Sequence, residues 1–323
     1  MQRLRGGLKS AGARHGIEAL EVMKGERNHV SNSYKVMHNF LIYFRDLRNY
    51  HAFFNRHRSS AVNTSYTSMG DGARIAYQFE GERDKPVLVL SNSIGTTLHM
   101  WDRNMPELTA HFRVLRYDTR GHGASDAPNG PYSLDRLGRD VIELLDTLGL
   151  DKVHFLGLSL GGFIGQWLGV RAPERIERLI LANTSPYLGP APQWDERIAA
   201  TLAAPDMKEI AEGFLANWFP ASMLKARNLL VDEFRTMLLN TPLHGLAGAF
   251  AVVRDADLRR TNALIRVPTL VIAGRDDTVT LACHSAQIAA AIPGAQLIVL
   301  PAVHLTNVEL PDEFMDEVLN FLV

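Results

Sequence analysis

The sequence contains very little cysteine and no long hydrophobic segment. Its 323 residues include one cysteine, Cys283, which excludes an internal disulfide framework and is typical of a reducing compartment. No run of eighteen apolar residues occurs, so no membrane-spanning helix is predicted. With 46% hydrophobic residues the chain can instead bury a large core. These features predict a cytoplasmic globular protein without a membrane partner.

Neither sign of charge predominates overall, since the net charge is −1, but the charged residues are unevenly distributed along the chain. Residues 1–60 carry 11 Lys and Arg against 4 Asp and Glu, which leaves 23 against 31 in the rest. An acidic main body argues against nucleic-acid binding, since such surfaces concentrate basic residues against phosphates. The five histidines of residues 1–60 are irregularly spaced without cysteine, so they do not form a metal-site pattern.

Residues 1–60 are expected to be a basic extension outside the folded body. They lack the apolar core and small-residue cleavage site of a secretory signal. Residues 39–58 combine arginines with aromatics, a composition compatible with an amphipathic surface helix or an organellar targeting segment. Four acidic residues argue against targeting, so a dispensable extension or an upstream translation start is the favoured interpretation.

From residue 66 onward, short β-rich runs alternate with segments of helical period. The turn signal at residues 69–72 predicts that residues 74–79 pair antiparallel with the segment before them. Ser133 is predicted to cap a helix that carries an apolar stripe. The pattern predicts the α/β class, with a mostly parallel twisted sheet and helices on both faces. The predicted parallel strands are residues 87–90, 113–117, 153–156, 179–181, 269–272 and 296–300.

Residues 187–262 interrupt this alternation. They are mainly helical in pattern and rich in Trp, Met and Leu. Three prolines, Pro186, Pro190 and Pro192, lie at their start. The interpretation is a helical cap inserted into a core formed by residues 61–186 and 263–323. No internal repeat or low-complexity tract is visible.

One serine stands between two closely spaced glycines in the stretch GLSLG, residues 157–161. A serine at this place is commonly a helix N-cap, but that role does not explain the glycines. Gly157 and Gly161 fit a sharp strand-to-helix turn in which a β-carbon would collide with its neighbours. The pattern therefore predicts that Ser159 is presented as a nucleophile.

A nucleophilic serine needs a base and a carboxylate that orients the base. His304 follows the strand predicted at residues 296–300, and Asp276 and Asp277 follow the strand predicted at residues 269–272. The chain order serine, aspartate, histidine is the one that α/β-hydrolases use. Each element alone is a weak signal, but all three occur in order and each follows a strand.

Acyl transfer also needs backbone donors for the developing oxyanion. The N–H of Leu160, at the predicted helix N-terminus, is one candidate, and the helix dipole favours an anion there. The loop of residues 91–97 can supply the second donor through the N–H of Ile94, although an ordinary polar turn is the alternative.

These residues resemble an α/β-hydrolase, and more narrowly the bacterial 3-oxoadipate enol-lactonases, over residues 66–323. The similarity is carried by SNSIGTT (91–97) with MWD (100–102), by LRYDTRGHGAS (115–125), and by GLSLGG (157–162) with Gln166 and Trp167. Later parts of the chain look similar too: Asn183 with Thr184, Trp218 with Phe219, and the runs 253–258 and 304–309. The resemblance favours Asp277 over Asp276 as the triad acid and implies a substrate-binding role for Trp218. The extension of residues 1–60 departs from the family.

The resemblance implies hydrolysis of a small carboxylated enol-lactone to 3-oxoadipate, without a metal or organic cofactor. A substrate carboxylate enclosed by a cap needs a partner, and arginine suits it because its planar fork donates two hydrogen bonds. Arg254 is selected among the cap arginines because it lies in the family-like run. A homo-oligomer is left open.

Two other classes of function stay open at this point. A broader carboxylesterase or a carbon–carbon bond hydrolase would use the same triad with a different cap. A ligand-binding protein on the same fold without turnover is the remote alternative.

Overall fold

One eight-stranded sheet forms the centre of the protein. The structure is a computed structural model that describes residues 63–225 and 228–323. The extension predicted for residues 1–60 lies outside the described residues. The strands are β1 (Ser65–Ser68), β2 (Arg74–Glu80), β3 (Val87–Ser91), β4 (Arg113–Tyr117), β5 (Val153–Leu158), β6 (Ile176–Ala182), β7 (Thr269–Gly274) and β8 (Gln296–Leu300).

The strand order is β1-β2-β4-β3-β5-β6-β7-β8. β2 pairs antiparallel with β1 and β4, and every other neighbouring pair in this sheet is parallel. The predicted α/β class with a mostly parallel sheet is therefore confirmed, as is the antiparallel pairing of the first two strands. All six residues of β5 and of β7 are buried, which explains their nearly continuous apolar sequences.

Helices connect the strands and pack against the sheet. Ser133 accepts a hydrogen bond from the N–H of Arg136 at 3.1 Å and so caps the helix as predicted, and the apolar stripe of that helix is buried. The α-helices within the described residues are α1 (Met105–His111), α2 (Leu134–Thr147), α3 (Leu160–Arg171), α4 (Ala191–Ala203), α5 (Lys208–Trp218), α6 (Ala221–Lys225), α7 (Leu229–Leu239), α8 (Leu243–Asp255), α9 (Ala282–Ala291), α10 (Thr306–Glu309) and α11 (Pro311–Leu322).

Five of these helices, α4 to α8, lie in the chain between β6 and β7, and we call them the cap helices. α4 packs along α8, and α5 packs against α7. Aromatic rings fill the space between them: Phe214 stacks on Phe250 with centroids 6.2 Å apart, and Trp218 lies 5.0 Å from Phe214. The cap helices thus pack through aromatic side chains that belong to the same apolar core as the sheet.

No single helix of the described residues is both long and apolar enough to cross a membrane. The bent pair α7 and α8 passes such a test jointly, by length and composition only, with 94° between its members.

The loops that follow β5, β7 and β8 leave the sheet at the same edge, because the three strands are parallel. This edge receives Ser159 after β5, Asp277 after β7 and His304 after β8. The topology therefore brings the three candidate residues, which are far apart in the sequence, to one place.

Candidate active site

Ser159 makes a strained turn between β5 and α3. The strand ends at Leu158 and the helix begins at Leu160, so a single residue separates them. Its φ of 57° is in the left-handed region, which is rare and costly for a residue with a side chain. Its side chain makes no capping hydrogen bond, so the helix-cap role does not account for it. Ser159 instead lines a cavity.

Glycines make this turn sterically feasible. A β-carbon at Gly157 would lie 2.0 Å from the carbonyl oxygen of Gly161, and one at Gly161 would lie 2.2 Å from the carbonyl oxygen of Ser91. Both contacts are far shorter than van der Waals distance, and both involve backbone that cannot swing aside. The prediction that side chains here would collide is confirmed.

His304 is paired with a buried carboxylate. Its Nδ1 lies 2.8 Å from Oδ2 of Asp277, and both side chains are almost fully buried. An ionised carboxylate only accepts hydrogen bonds, so Nδ1 carries the proton and donates it. Nε2 of the neutral ring is then left to accept a proton, and His304 lines the same cavity as Ser159. A general base for a serine requires a carboxylate that orients it in this way.

Asp277 is held by donors on both carboxylate oxygens. Oδ1 accepts from the N–H groups of Val279 and Thr280, at 2.8 and 3.0 Å, and Oδ2 accepts from the Thr280 hydroxyl at 2.8 Å. Burial alone would raise the pKa of Asp277, but its interaction with His304 and the hydrogen bonds from the side chains of Asn183 and Thr280 lower the pKa to about 2. The carboxylate is therefore ionised throughout the physiological range.

The neighbouring Asp276 lies in a different environment. It is exposed, and its carboxylate pairs with Arg275 at 2.9 Å. The structure brings Asp277 to His304 and leaves Asp276 in solvent.

The two candidate oxyanion donors lie beside the serine. Ile94 and Leu160 line the cavity together with Ser159. Within the described part of the chain, the N–H groups of Ile94 and Leu160 have no hydrogen-bond acceptor. Leu160 is also the first residue of α3, where the helix dipole favours negative charge. Both N–H groups are thus available to a developing oxyanion.

Asn92 fastens the loop that carries Ile94. Its carbonyl oxygen accepts from the N–H of Gly161 at 3.0 Å, which joins the loop to the start of α3. Its side-chain amide donates to the carbonyl of Tyr117 at 2.8 Å and accepts from the indole of Trp101 at 2.9 Å. Sequence reasoning treated Asn92 only as a family-like residue and did not predict these contacts.

The cavity around Ser159 is walled mainly by apolar side chains. Phe163 lines it from α3, and Trp194, Phe214, Trp218 and Phe250 line it from the cap helices. Trp218, which was predicted to bind substrate, is 1% exposed and lies on this wall. Such a lining excludes water and strengthens each polar interaction made inside.

The structure does not bring Arg254, the residue predicted to bind the substrate carboxylate, to the cavity of Ser159. Its guanidinium donates to Asp255 at 2.7 Å and to Asp195 at 2.9 Å, so its fork is already occupied. It lines a separate cavity together with His244 and residues 129–131, not the one that contains Ser159. The sequence contained a hint of this outcome, because an acid directly follows the arginine.

Arg197 on α4 is the arginine that lines the cavity of Ser159. Its guanidinium carbon lies 4.8 Å from the ring centroid of Phe250 and 5.5 Å from those of Trp194 and Phe214. Among the described residues, no carboxylate pairs with it. Burial beside these rings lowers the pKa of Arg197, although part of the side chain is open to solvent. The charge is therefore accessible and available to an anion.

Asn183 is a second residue that sequence reasoning treated only as family-like, without a role. It directly follows β6, is fully buried, and donates to Oδ2 of Asp277 at 3.1 Å. The available signal was a polar residue at the end of a buried strand, at the edge where the candidate residues were expected.

No group of three or more His, Cys, Asp or Glu suited to a metal ion occurs in the described ranges.

Comparison with known proteins gives consistent relationships. The chain is 38% identical over 240 residues to 3-oxoadipate enol-lactonase 2 of Acinetobacter baylyi, covering 74% of this chain and 90% of the relative. It is 31% identical to a Pseudomonas savastanoi protein named provisionally as a carbamate hydrolase, RutD, covering 74% and 94%. The crystal structure of a hydrolase from Pseudomonas aeruginosa PA01 matches with a TM-score of 0.80 and 62% identity, covering 81% of this chain and 99% of that one.

Residues 86–309 match the family model for the alpha/beta hydrolase fold, and they contain the strained serine, its candidate oxyanion donors and the buried His304–Asp277 pair. This chain belongs to the α/β-hydrolase family.

Proposed function

We propose that this hydrolase opens the ring of 3-oxoadipate enol-lactone to give 3-oxoadipate. The observation that carries the proposal is the composition of one cavity. It is lined by Ser159 and His304, and the other described residues on its walls are apolar except for Asn217 and the accessible cation of Arg197. The substrate is a small ring with one carboxylate, so it needs one nucleophile and one cation. The enol-lactonase relative in Acinetobacter supports the same substrate class.

The first half of the reaction forms an acyl-enzyme. His304 Nε2 takes the proton of the Ser159 hydroxyl as the serine oxygen bonds to the lactone carbonyl carbon. The carbonyl oxygen becomes negative and accepts hydrogen bonds from the N–H groups of Ile94 and Leu160. Asp277 stabilises the imidazolium that forms, because it is ionised and bonded to Nδ1.

Collapse of the tetrahedral intermediate breaks the ring C–O bond and releases an enolate oxygen. This leaving group stays tethered to the acyl-enzyme and is stabilised by conjugation, so it needs less acid assistance than an alkoxide. His304 protonates it and then activates a water molecule that cleaves the ester to Ser159. The released enol tautomerises to the ketone in solution. No metal or organic cofactor takes part in these steps.

Arg197 supplies recognition of the substrate carboxylate in this proposal. Enclosing a carboxylate among aromatic walls is costly unless a cation meets it. The guanidinium fork can donate two parallel hydrogen bonds to the two carboxylate oxygens. Trp218 and the other cap aromatics then contact the ring.

A broader carboxylesterase is the second candidate, because the aromatic walls also suit a neutral acyl group. A carbon–carbon bond hydrolase would use the same catalytic residues, and the carbamate hydrolase relative adds a carbamate to the substrates that need testing.

A substrate panel tests the proposal directly. The purified protein and its Ser159→Ala variant are assayed with the enol-lactone, a neutral ester of similar size, a carbamate and a carbon–carbon hydrolase substrate. We expect the highest kcat/KM with the enol-lactone and a loss on the order of 10⁶-fold in kcat for Ser159→Ala. A higher kcat/KM with another class would replace the lactone, and turnover by Ser159→Ala would refute the nucleophile. Ligand-induced stabilisation without any product would instead indicate a binding protein.

A further inference from the structure

Asn183 stands at the junction between the nucleophile and its acid–base pair. It follows β6, which lies between β5 and β7 in the sheet. On one side, the N–H of Ser159 donates to the carbonyl of Ala182 at 3.0 Å, and the hydroxyl of Thr184 donates to the carbonyl of Ser159 at 2.8 Å. On the other side, the N–H of Asn183 donates to the carbonyl of Ile272 in β7 at 2.8 Å.

The side chain of Asn183 joins two further loops. Its Nδ2 donates to Oδ2 of Asp277 at 3.1 Å and to the carbonyl of Val303 at 3.2 Å. Its Oδ1 accepts from the hydroxyl of Thr306 at 2.6 Å. Asp277 precedes α9, whereas Val303 and Thr306 flank His304 at a distance of one and two residues. One amide thus links the loop of the acid to the loop of the base.

Asparagine suits this place for reasons of both backbone and side chain. The φ of Asn183 is 42°, in the left-handed region that asparagine tolerates better than most residues. Both amide hydrogens are used by acceptors, so an inverted amide would turn its oxygen towards a carboxylate and a carbonyl. An aspartate would place two carboxylates together, and an apolar residue would leave buried acceptors unpaired.

We propose that Asn183 is a positioning residue, which acts through Asp277 by fixing the acid and base loops relative to Ser159. This inference deepens the proposed serine-hydrolase function and rests on it. Asn183 does not touch the substrate in this account, because it bonds to Asp277 and does not line the cavity of Ser159. Its hydrogen bond also contributes to the lowered pKa of Asp277.

The test compares Asn183→Ala and Asn183→Asp with a matched control, Asn104→Ala. Asn104 is equally buried and exchanges hydrogen bonds with Asn307 at 3.1 Å, but it contacts none of the three candidate catalytic residues. Each variant is assayed for kcat, KM, Tm and the pH profile with the preferred substrate of the panel. Labelling of Ser159 by a fluorophosphonate reports separately whether the unmodified protein is a serine hydrolase.

Asn183→Ala should lower kcat by about 10- to 100-fold and change KM less than about threefold, as expected for losing a hydrogen bond to a charged group. Asn183→Asp should also shift the acidic limb of the pH profile upwards, because two adjacent carboxylates share a proton. Asn104→Ala should lower Tm while leaving kcat within about twofold. If Asn183→Ala does not fold, the isosteric Asn183→Asp carries the test by itself.

Two results would overturn the inference while leaving the serine-hydrolase proposal intact. One is a labelled, active protein whose folded Asn183 variants retain the kcat and pH profile of the unmodified chain. The other is an equal loss of kcat in Asn104→Ala, which would show a general effect of core destabilisation. Failure of the unmodified protein to label or turn over would refute the proposed function, and the inference with it.

Discussion

Replacing Arg197 by alanine should weaken turnover of the carboxylated lactone far more than turnover of a neutral ester. The guanidinium lies on the wall of the Ser159 cavity against three aromatic rings, and no carboxylate of the described residues neutralises it. A charge-assisted hydrogen bond contributes roughly 1.5 to 3 kcal/mol, so kcat/KM for the lactone should fall by about 10- to 150-fold. The kcat/KM of Arg197→Lys for the lactone should lie between those of the unmodified protein and Arg197→Ala, because lysine keeps the charge but lacks the planar guanidinium fork.

The control for this experiment is Arg254→Ala. It removes the same charge from a neighbouring cap helix, but at a side chain that pairs with Asp195 and Asp255 and lines a different cavity. Its kcat/KM should stay within about threefold for both substrates. Initial rates below saturation, with the lactone and a neutral ester of equal size, provide the measurement. An equal loss with both substrates in Arg197→Ala would mean that the residue maintains the cavity, and the carboxylate would then have to be bound elsewhere.

Three further outcomes are expected from the geometry. Asp277→Asn should lower kcat by about 10⁴-fold, because it favours the wrong tautomer of the paired histidine. Asp276→Asn should change kcat less than about threefold, because Asp276 is exposed and pairs with Arg275. The opposite ranking of the two variants would make Asp276 the triad acid. Gly161→Ala should yield inactive or insoluble protein, since the new methyl would lie 2.2 Å from a backbone oxygen, while Gly213→Ala, with open space around it, should raise Tm slightly. The pKa of Asp277 is lowered from its ordinary value of 3.8 to about 2, so the ionised side chain adds about 2 kcal/mol to the free energy of unfolding at pH values above about 4. This contribution should be lost as the pH falls from about 4 to 2. The measurement is the free energy of unfolding by urea, determined at several pH values in that range for the unmodified protein and for Asp277→Asn. The same pH dependence in both proteins would contradict this expectation.

The sheet and the turn at Ser159 were predictable because most of their causes are local. Short apolar runs form buried strands, and a β-carbon at Gly157 would meet the carbonyl oxygen of Gly161 in the same turn. The need for glycine at position 161 is not local, because the oxygen that a β-carbon would meet there belongs to Ser91 on β3. The chain order of serine, acid and base then places the candidates at one edge once the strands are known to be parallel.

The choice between Arg197 and Arg254 depended mainly on contacts between helices, and the only local hint was the acid that follows Arg254. Both residues lie on helices rich in apolar residues, and only the packing of α4 along α8 decides which cavity each one faces. The ion pair from Arg254 to Asp195 spans these two helices and follows from the same packing. The contacts of Asn183 were missed for a related reason, because its partners lie in loops about a hundred residues away.

The position of the cap helices in the chain separates chemistry from selectivity. Everything that breaks the ester bond in this account lies before residue 187 or after residue 262, whereas the arginine and most aromatics that meet the substrate lie between them. A relative can therefore acquire a new substrate by exchanging one contiguous segment, without altering the nucleophile, the base or the acid. The segment leaves the core just after Asn183 and returns to it just before β7, so its two ends are fixed to the scaffold that aligns the catalytic groups. A different segment inserted at the same two junctions would therefore meet catalytic groups that are already aligned.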